Sequence, residues 1–105
     1  MTRIKFDLDG ETLCGFSVSG HSTDSCDDME GKLVCAAISS AVYMTANTIT
    51  DVIGIPCDLN VADGGFSLRL RKFDQQAVTV LQGFQLHVQE LSRQYPKRIK
   101  IFTEV

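Results

Sequence analysis

None of the four cysteines (Cys14, Cys26, Cys35 and Cys57) forms a C-x-x-C pair, which removes the ligand spacing of a zinc ribbon and the redox motif of a thioredoxin-like site. Proline is equally scarce. Two prolines, 44% hydrophobic and 22% charged residues exclude a disordered or fibrous chain. The opening "MTRIKFDLDG" has no apolar stretch of the kind that drives secretion, and no segment is expected to reach the roughly 20 apolar residues that span a bilayer. A cytoplasmic protein without a membrane partner is therefore expected, with its thiols reduced. Positive charge is also short: a net charge of −3 and a pI near 5.2 give no field for a phosphate backbone, so no direct nucleic-acid partner is expected. The small basic clusters Arg69, Arg71, Lys72 and Lys97, Arg98, Lys100 read as solvated faces.

What is present is enough for one domain over residues 1–105, a length that buries a single core without staples. Ile4, Phe6 and Leu8 alternate, as do Cys14, Phe16 and Val18, and Asp9-Gly10 between them predicts a hairpin with a type I′ turn. Val34, Ala37/Ile38, Ala41/Val42, Ala46, Ile49 and Ile53 recur at helical spacing, so a long helix is predicted from about Leu33 to Ile53, ending before Gly54-Ile55-Pro56. A second hairpin follows, with Cys57, Leu59, Val61 and Phe66, Leu68, Leu70 alternating about Asp63-Gly64-Gly65. Asp74 caps a second helix with the stripe Val78, Leu81, Phe84, Val88, Leu91 and Tyr95, and a last strand carries Ile99 and Ile101. The order ββαββαβ predicts an α+β fold, a mostly antiparallel sheet with both helices on one face. The β-α-β-β-α-β run inside it also invites a ferredoxin-like topology. Gly83, inside the second helix, suggests close helix or subunit packing.

The chemistry is concentrated in "GHSTDSCDDMEGKLVCAA", Gly20 to Ala37. Cys35 is predicted in the first turn of the long helix, where unpaired backbone N–H groups favour a thiolate and Lys32 adds a positive charge. His21 ends the second strand after Gly20, and the loop closing at Gly31 returns the chain to the helix, so the imidazole can stand beside the sulfur as an activating base. A cysteine followed by Ala36, Ala37 and Ile38 also fits an inert core face, and that reading stays open beside the first. Ser39, one turn after Cys35, shares its face and either donates within the site or bonds back to a carbonyl. Cys14 and Cys57 fall in the apolar register of strands and read as core. Cys26 lies in the loop without metal-ligand spacing, and His87 reads as solvent-facing, so no metal and no cofactor are expected.

These residues resemble the ribosomal-processing cysteine proteases called Prp. The likeness rests on Gly20-His21, the glycine-bearing loop, "LVCAAIS" from Leu33 to Ser39, "LQGFQLHVQELSRQYP" from Leu81 to Pro96, and the ββαββαβ order. The resemblance implies a cysteine endopeptidase that removes the N-terminal extension of a large-subunit ribosomal protein, with Cys35 as nucleophile and His21 as general base. It also implies a mobile loop between them, a homodimer, and no cofactor. Ser39, Gly20, Gly31 and Lys32 are the candidate supporting residues. Relatives usually carry an acidic residue where Lys32 stands, and a somewhat shorter loop. Its function is then missing, or supplied by Asp24, Asp27, Asp28 or Glu30. The alternative is a peptide-binding or ribosome-associated module that has lost turnover.

Overall fold

A computed structural model describes residues 1–23 and 25–105. The elements run β1 (Thr2–Asp9), β2 (Thr12–Ser19), α1 (Met29–Asn47), β3 (Cys57–Ala62), β4 (Gly65–Leu70), α2 (Gln75–Gln94) and β5 (Ile99–Glu104), in the predicted ββαββαβ order. The five strands form one mixed sheet in the order β3-β4-β2-β1-β5, antiparallel except where β5 runs parallel to β1. The ferredoxin-like topology is not formed. There β5 would pair directly with β2 in the order β3-β4-β2-β5, whereas here β1 is inserted between β2 and β5.

Alternation along the strands puts Ile4, Phe6, Phe16 and Leu68 on one face, and α1 and α2 cover it with Val34, Ile38, Val42, Leu81, Phe84 and Val88. Phe84 stands 4.4 Å from Phe16 and 5.8 Å from Phe6 between ring centroids, so one α2 side chain joins β1 to β2. Each such buried side chain contributes roughly 1.5–3 kcal/mol of transfer free energy. The register gathers four chain segments at one end of the sheet: Ser19 pairs with Arg3 on one side and Gly65 on the other, and Thr2 pairs with Ile99. The start of β1, the end of β2, the β3–β4 turn and the start of β5 therefore meet, and the site is built there.

Several boundaries differ from the sequence reading for local reasons. A bulge between Asp7 and Leu8 pairs Leu8 with Leu13, so Leu13 takes the core position expected of Cys14, which is half-buried with Sγ 3.5 Å from the Asp7 carbonyl. The first hairpin turn is not type I′, because Gly10 alone in it has positive φ, at 65°. Helix α1 begins at Met29 instead of Leu33, since Asp28 accepts from Gly31 N at 3.0 Å and so supplies a cap one turn upstream of the first apolar-periodic residue. At its far end the helix loosens into a π-helical turn, Thr48–Ile53, closed by Gly54. Its threonine hydroxyls bond back to carbonyls, Thr48 to Met44 at 2.6 Å and Thr50 to Ala46 at 3.0 Å.

Met29–Ile53 is also long and apolar enough to cross a membrane, contrary to expectation, because apolar residues occupy both its faces. One face, with Val34, Ile38, Val42, Ala46 and Ile49, packs in the core, while Leu33, Met44 and Val52 point outward. Leu59 and Val61 on the edge strand β3 alternate as predicted yet remain exposed, since two helices do not reach across five strands. Gly83 was expected to mark a close approach, but a Cβ built there meets nothing within 4 Å. Gly83→Ala should therefore stabilise the fold by up to about 1 kcal/mol through helix propensity, a rise of a few degrees in the melting temperature.

Candidate active site

The histidine is placed by a strand end that only glycine permits. Gly20 has φ +81°, and a Cβ on it would stand 2.4 Å from the Met1 carbonyl oxygen. Its N–H donates to Gly64 O at 3.0 Å, tying the end of β2 to the β3–β4 turn. His21 follows, exposed, with its carbonyl accepting from Met1 N at 2.6 Å. Its Nε2 lies 3.5 Å from the point a Gly64 Cβ would occupy, so the imidazole rests on the second hairpin's turn.

Ser22, next along, is only 2% exposed and is held at every polar atom. Its Oγ donates to Arg98 O at 3.1 Å, which leaves Thr2 Oγ1, 2.6 Å away, to donate to that Oγ. Its carbonyl accepts from Arg98 Nη1 at 2.7 Å. Its N–H donates to Cys35 Sγ at 3.2 Å. The backbone beside His21 thus reaches the sulfur.

Cys35 lies in the second turn of α1, not the first, because the helix starts at Met29. The free N–H groups of the helix start are spent before it: Asp28 takes that of Gly31. Backbone donation to the site comes from the preceding loop instead. Gly31 is helical and buried, and its hydrogen is what lets the loop pack: a Cβ there would stand 2.7 Å from Ser22 O and 2.7 Å from Thr23 Cα. Lys32 is exposed and does not line the pocket.

His21, Cys35 and Ser39 line one open pocket of about 250 Å³. Its far wall is the second hairpin, through Val61, Ala62, Gly64 and Phe66, and its floor is Ile38 and Val42 of α1. Tyr43, two turns beyond Cys35, closes the side. A larger cavity of about 570 Å³ lies elsewhere, among Asp9, Cys14, Arg69, Arg71 and Phe73, but the thiol it offers is a poor nucleophile. Burial pushes the thiols of Cys14 and Cys57 above the ordinary 9.0. At neutral pH and limiting iodoacetamide, mass spectrometry should find Cys35 alkylated before either of them. Because both folded values lie above the unfolded one, their contribution to stability is complete below 9.0 and is lost as pH rises through the folded values, so melting temperatures should fall in that alkaline range.

No hydrogen bond joins the His21 ring to Cys35 or to a carboxylate among the described residues. Two of the acidic candidates are engaged elsewhere: Asp28 Oδ2 and Glu30 Oε1 both accept from Arg98, the latter at 3.1 Å. Asp27 is exposed, and Asp24 lies outside the described residues. The sequence reading missed Arg98, which it placed on a solvated face, and the whole wall of the second hairpin. Arg98 meets its acceptors across most of the chain's length, a separation that carries no sequence signal. The alternation of Val61 and Phe66 was legible, but not its proximity to Cys35.

The family profile described as cysteine protease Prp matches residues 1–100 of the chain. No curated protein gave a match. Among solved structures, the essential ribosomal processing protease Prp from S. aureus in complex with a covalently linked product peptide superposes with a TM-score of 0.85 at 21% identity, covering 99% of this chain and 100% of that one. The same protease in complex with a substrate peptide gives 0.85 at 20% identity, with the same coverage. A protein from Streptococcus mutans gives 0.78 at 20% identity, covering 99% and 96%. These likenesses share the fold of five strands and two helices.

Proposed function

The chain belongs to the cysteine protease Prp family, and from that membership we propose that it is an endopeptidase that removes the N-terminal extension of a large-subunit ribosomal protein, with Cys35 and His21 as its dyad. The observation that carries the reading is the placement of His21, Cys35 and Ser39 around one open pocket, with the Ser22 N–H aimed at Sγ. An extended peptide fits a pocket walled by apolar side chains and open to solvent, and the S. aureus relative is in complex with a product peptide in one structure and a substrate peptide in another.

In this reaction the Cys35 thiolate attacks the scissile carbonyl, and the S–C bond forms as the carbonyl electrons move to oxygen. His21 delivers a proton to the leaving amine as the C–N bond breaks, and water then releases the acyl group with His21 acting as base. Catalytic hydrogen bonds often tighten only in the substrate complex, so the exposed imidazole on the Gly64 turn is suited to swing toward the sulfur once the peptide is in place. No acidic partner is needed for a thiol, whose anion is accessible near neutral pH. Ser39, exposed one turn beyond Cys35, offers a hydroxyl to the bound peptide. A cytoplasmic homodimer is part of the same reading, and the outward Met44 and Leu86 supply apolar surface for a second copy.

The test is mass spectrometry of the host's extended ribosomal precursor after incubation with the purified protein. Loss of the N-terminal extension as a discrete peptide is the expected result. Binding of the precursor without cleavage, by protein whose Cys35 is reduced, would replace this reading with that of a binding module.

A further inference from the structure

The Arg98 guanidinium reaches the loop that carries His21 from behind. We propose that Arg98 is a positioning residue of the Cys35 site: it fixes the Ser22 backbone so that the Ser22 N–H stays on the sulfur. The inference rests on the endopeptidase reading for its kinetic consequence, and on geometry alone for the rest.

Arg98 stands just before β5, at the sheet end where β1, β2 and the β3–β4 turn converge. Among the described residues its fork meets acceptors of the loop and helix start: Nη1 donates to Ser22 O at 2.7 Å and to Asp28 Oδ2, and Nε to Glu30 Oε1 at 3.1 Å. Its own carbonyl accepts from Thr2 N at 2.9 Å and from Ser22 Oγ at 3.1 Å. Ser22 is therefore gripped at its carbonyl by the Arg98 side chain and at its hydroxyl by the Arg98 backbone. The one direction left to its N–H is the one observed, 3.2 Å from Cys35 Sγ.

A surface ion pair looks different here. Arg71 meets Asp58 with side chains 62% and 68% exposed, whereas the Arg98 side chain is 20% exposed and its partner Asp28 11%. Among the described residues the Arg98 guanidinium pairs with the carboxylates of Asp28 and Glu30, and its route to the sulfur is the Ser22 backbone. Among the described residues the titratable neighbours facing Cys35 are His21 and Tyr43, with Asp28, Glu30 and Arg98 behind Ser22. Two different nitrogens of a rigid fork serve Ser22 and Glu30 at once, which the single nitrogen of lysine does not reproduce.

The experiment compares Arg98→Met, Arg98→Lys and a control, Arg71→Met, at a temperature where circular dichroism shows each folded. Three readouts are taken: Cys35 alkylation by iodoacetamide at neutral pH followed by peptide mass spectrometry, amide exchange at Ser22, and kcat and KM on the ribosomal precursor peptide. Arg98→Met and Arg98→Lys are expected to slow alkylation and kcat about ten-fold, with KM within about two-fold, the loss of one hydrogen bond to a charged acceptor. Ser22 amide exchange should quicken in both, and Arg71→Met should match the parent. A folded Arg98→Met or Arg98→Lys protein with parental alkylation and kcat overturns the proposal, whatever its melting temperature. If Arg98→Met does not fold, Arg98→Lys and Glu30→Gln decide: the first with the ten-fold loss and the second with about a two-fold loss support the proposal, and parental rates in both sink it. If the parent protein cuts no ribosomal precursor while both Arg98 variants slow alkylation, the endopeptidase reading fails and the positioning of Ser22 by Arg98 stands.

Discussion

Cys35→Ala protein is expected to leave the extended ribosomal precursor uncut, with kcat down on the order of a million-fold, the scale lost when a protease nucleophile is removed. The fold should survive. Cys35 is half-buried on α1 and alanine fits a helix better than cysteine, so the substitution removes one acceptor for the Ser22 N–H and little packing. His21→Gln is the companion measurement: it keeps a polar side chain on the Gly64 turn but no proton transfer, and should cost about 10²–10⁴-fold. Time courses by mass spectrometry on equal amounts of folded protein read both losses. Full processing by Cys35→Ala would remove the nucleophile from the reading, and full processing by His21→Gln would remove the base.

Gly31→Ala is the second large effect, and it is counter to helix propensity. Alanine in a helix interior is favoured over glycine by about 1 kcal/mol. Here the added methyl meets Ser22 O and Thr23 Cα at 2.7 Å and Asp28 Oδ2 at 2.4 Å, two of which are backbone and do not rotate away. The loop must move outward. Ser22 N–H then leaves Cys35 Sγ, and a displacement near 1 Å at a catalytic group is enough for roughly a hundred-fold loss in kcat/KM. Steady-state kinetics on the precursor peptide, with circular dichroism to show that the helices persist, checks this. Parental turnover in folded Gly31→Ala would mean that loop and helix are free to separate without consequence.

Legibility followed the distance over which each feature is decided. Asp74 and its helix stripe were readable, because a cap and a period of three to four residues are local, and Asp74 accepts from Ala77 N at 3.0 Å as expected. Asp28 was equally local, but Gly31 in the first turn hid the helix start, since glycine there reads as loop until Ser22 is known to press against it. Cys14 and Leu13 exchanged places through one bulge, which period-two alternation cannot anticipate. His21 and Cys35, singled out together from sequence, line one pocket, but the donor that touches the sulfur is the backbone of Ser22.

By itself the sequence determined the elements and their order, and singled out two side chains that line one pocket, because hydrophobic period, caps and turn residues act between near neighbours in the chain. Only the tertiary structure decided which strands pair, that the second hairpin walls the pocket, and that Arg98 grips the loop next to His21. Those contacts join residues far apart in sequence, and their free energy is set when the sheet register brings four segments to one end, which no local pattern encodes.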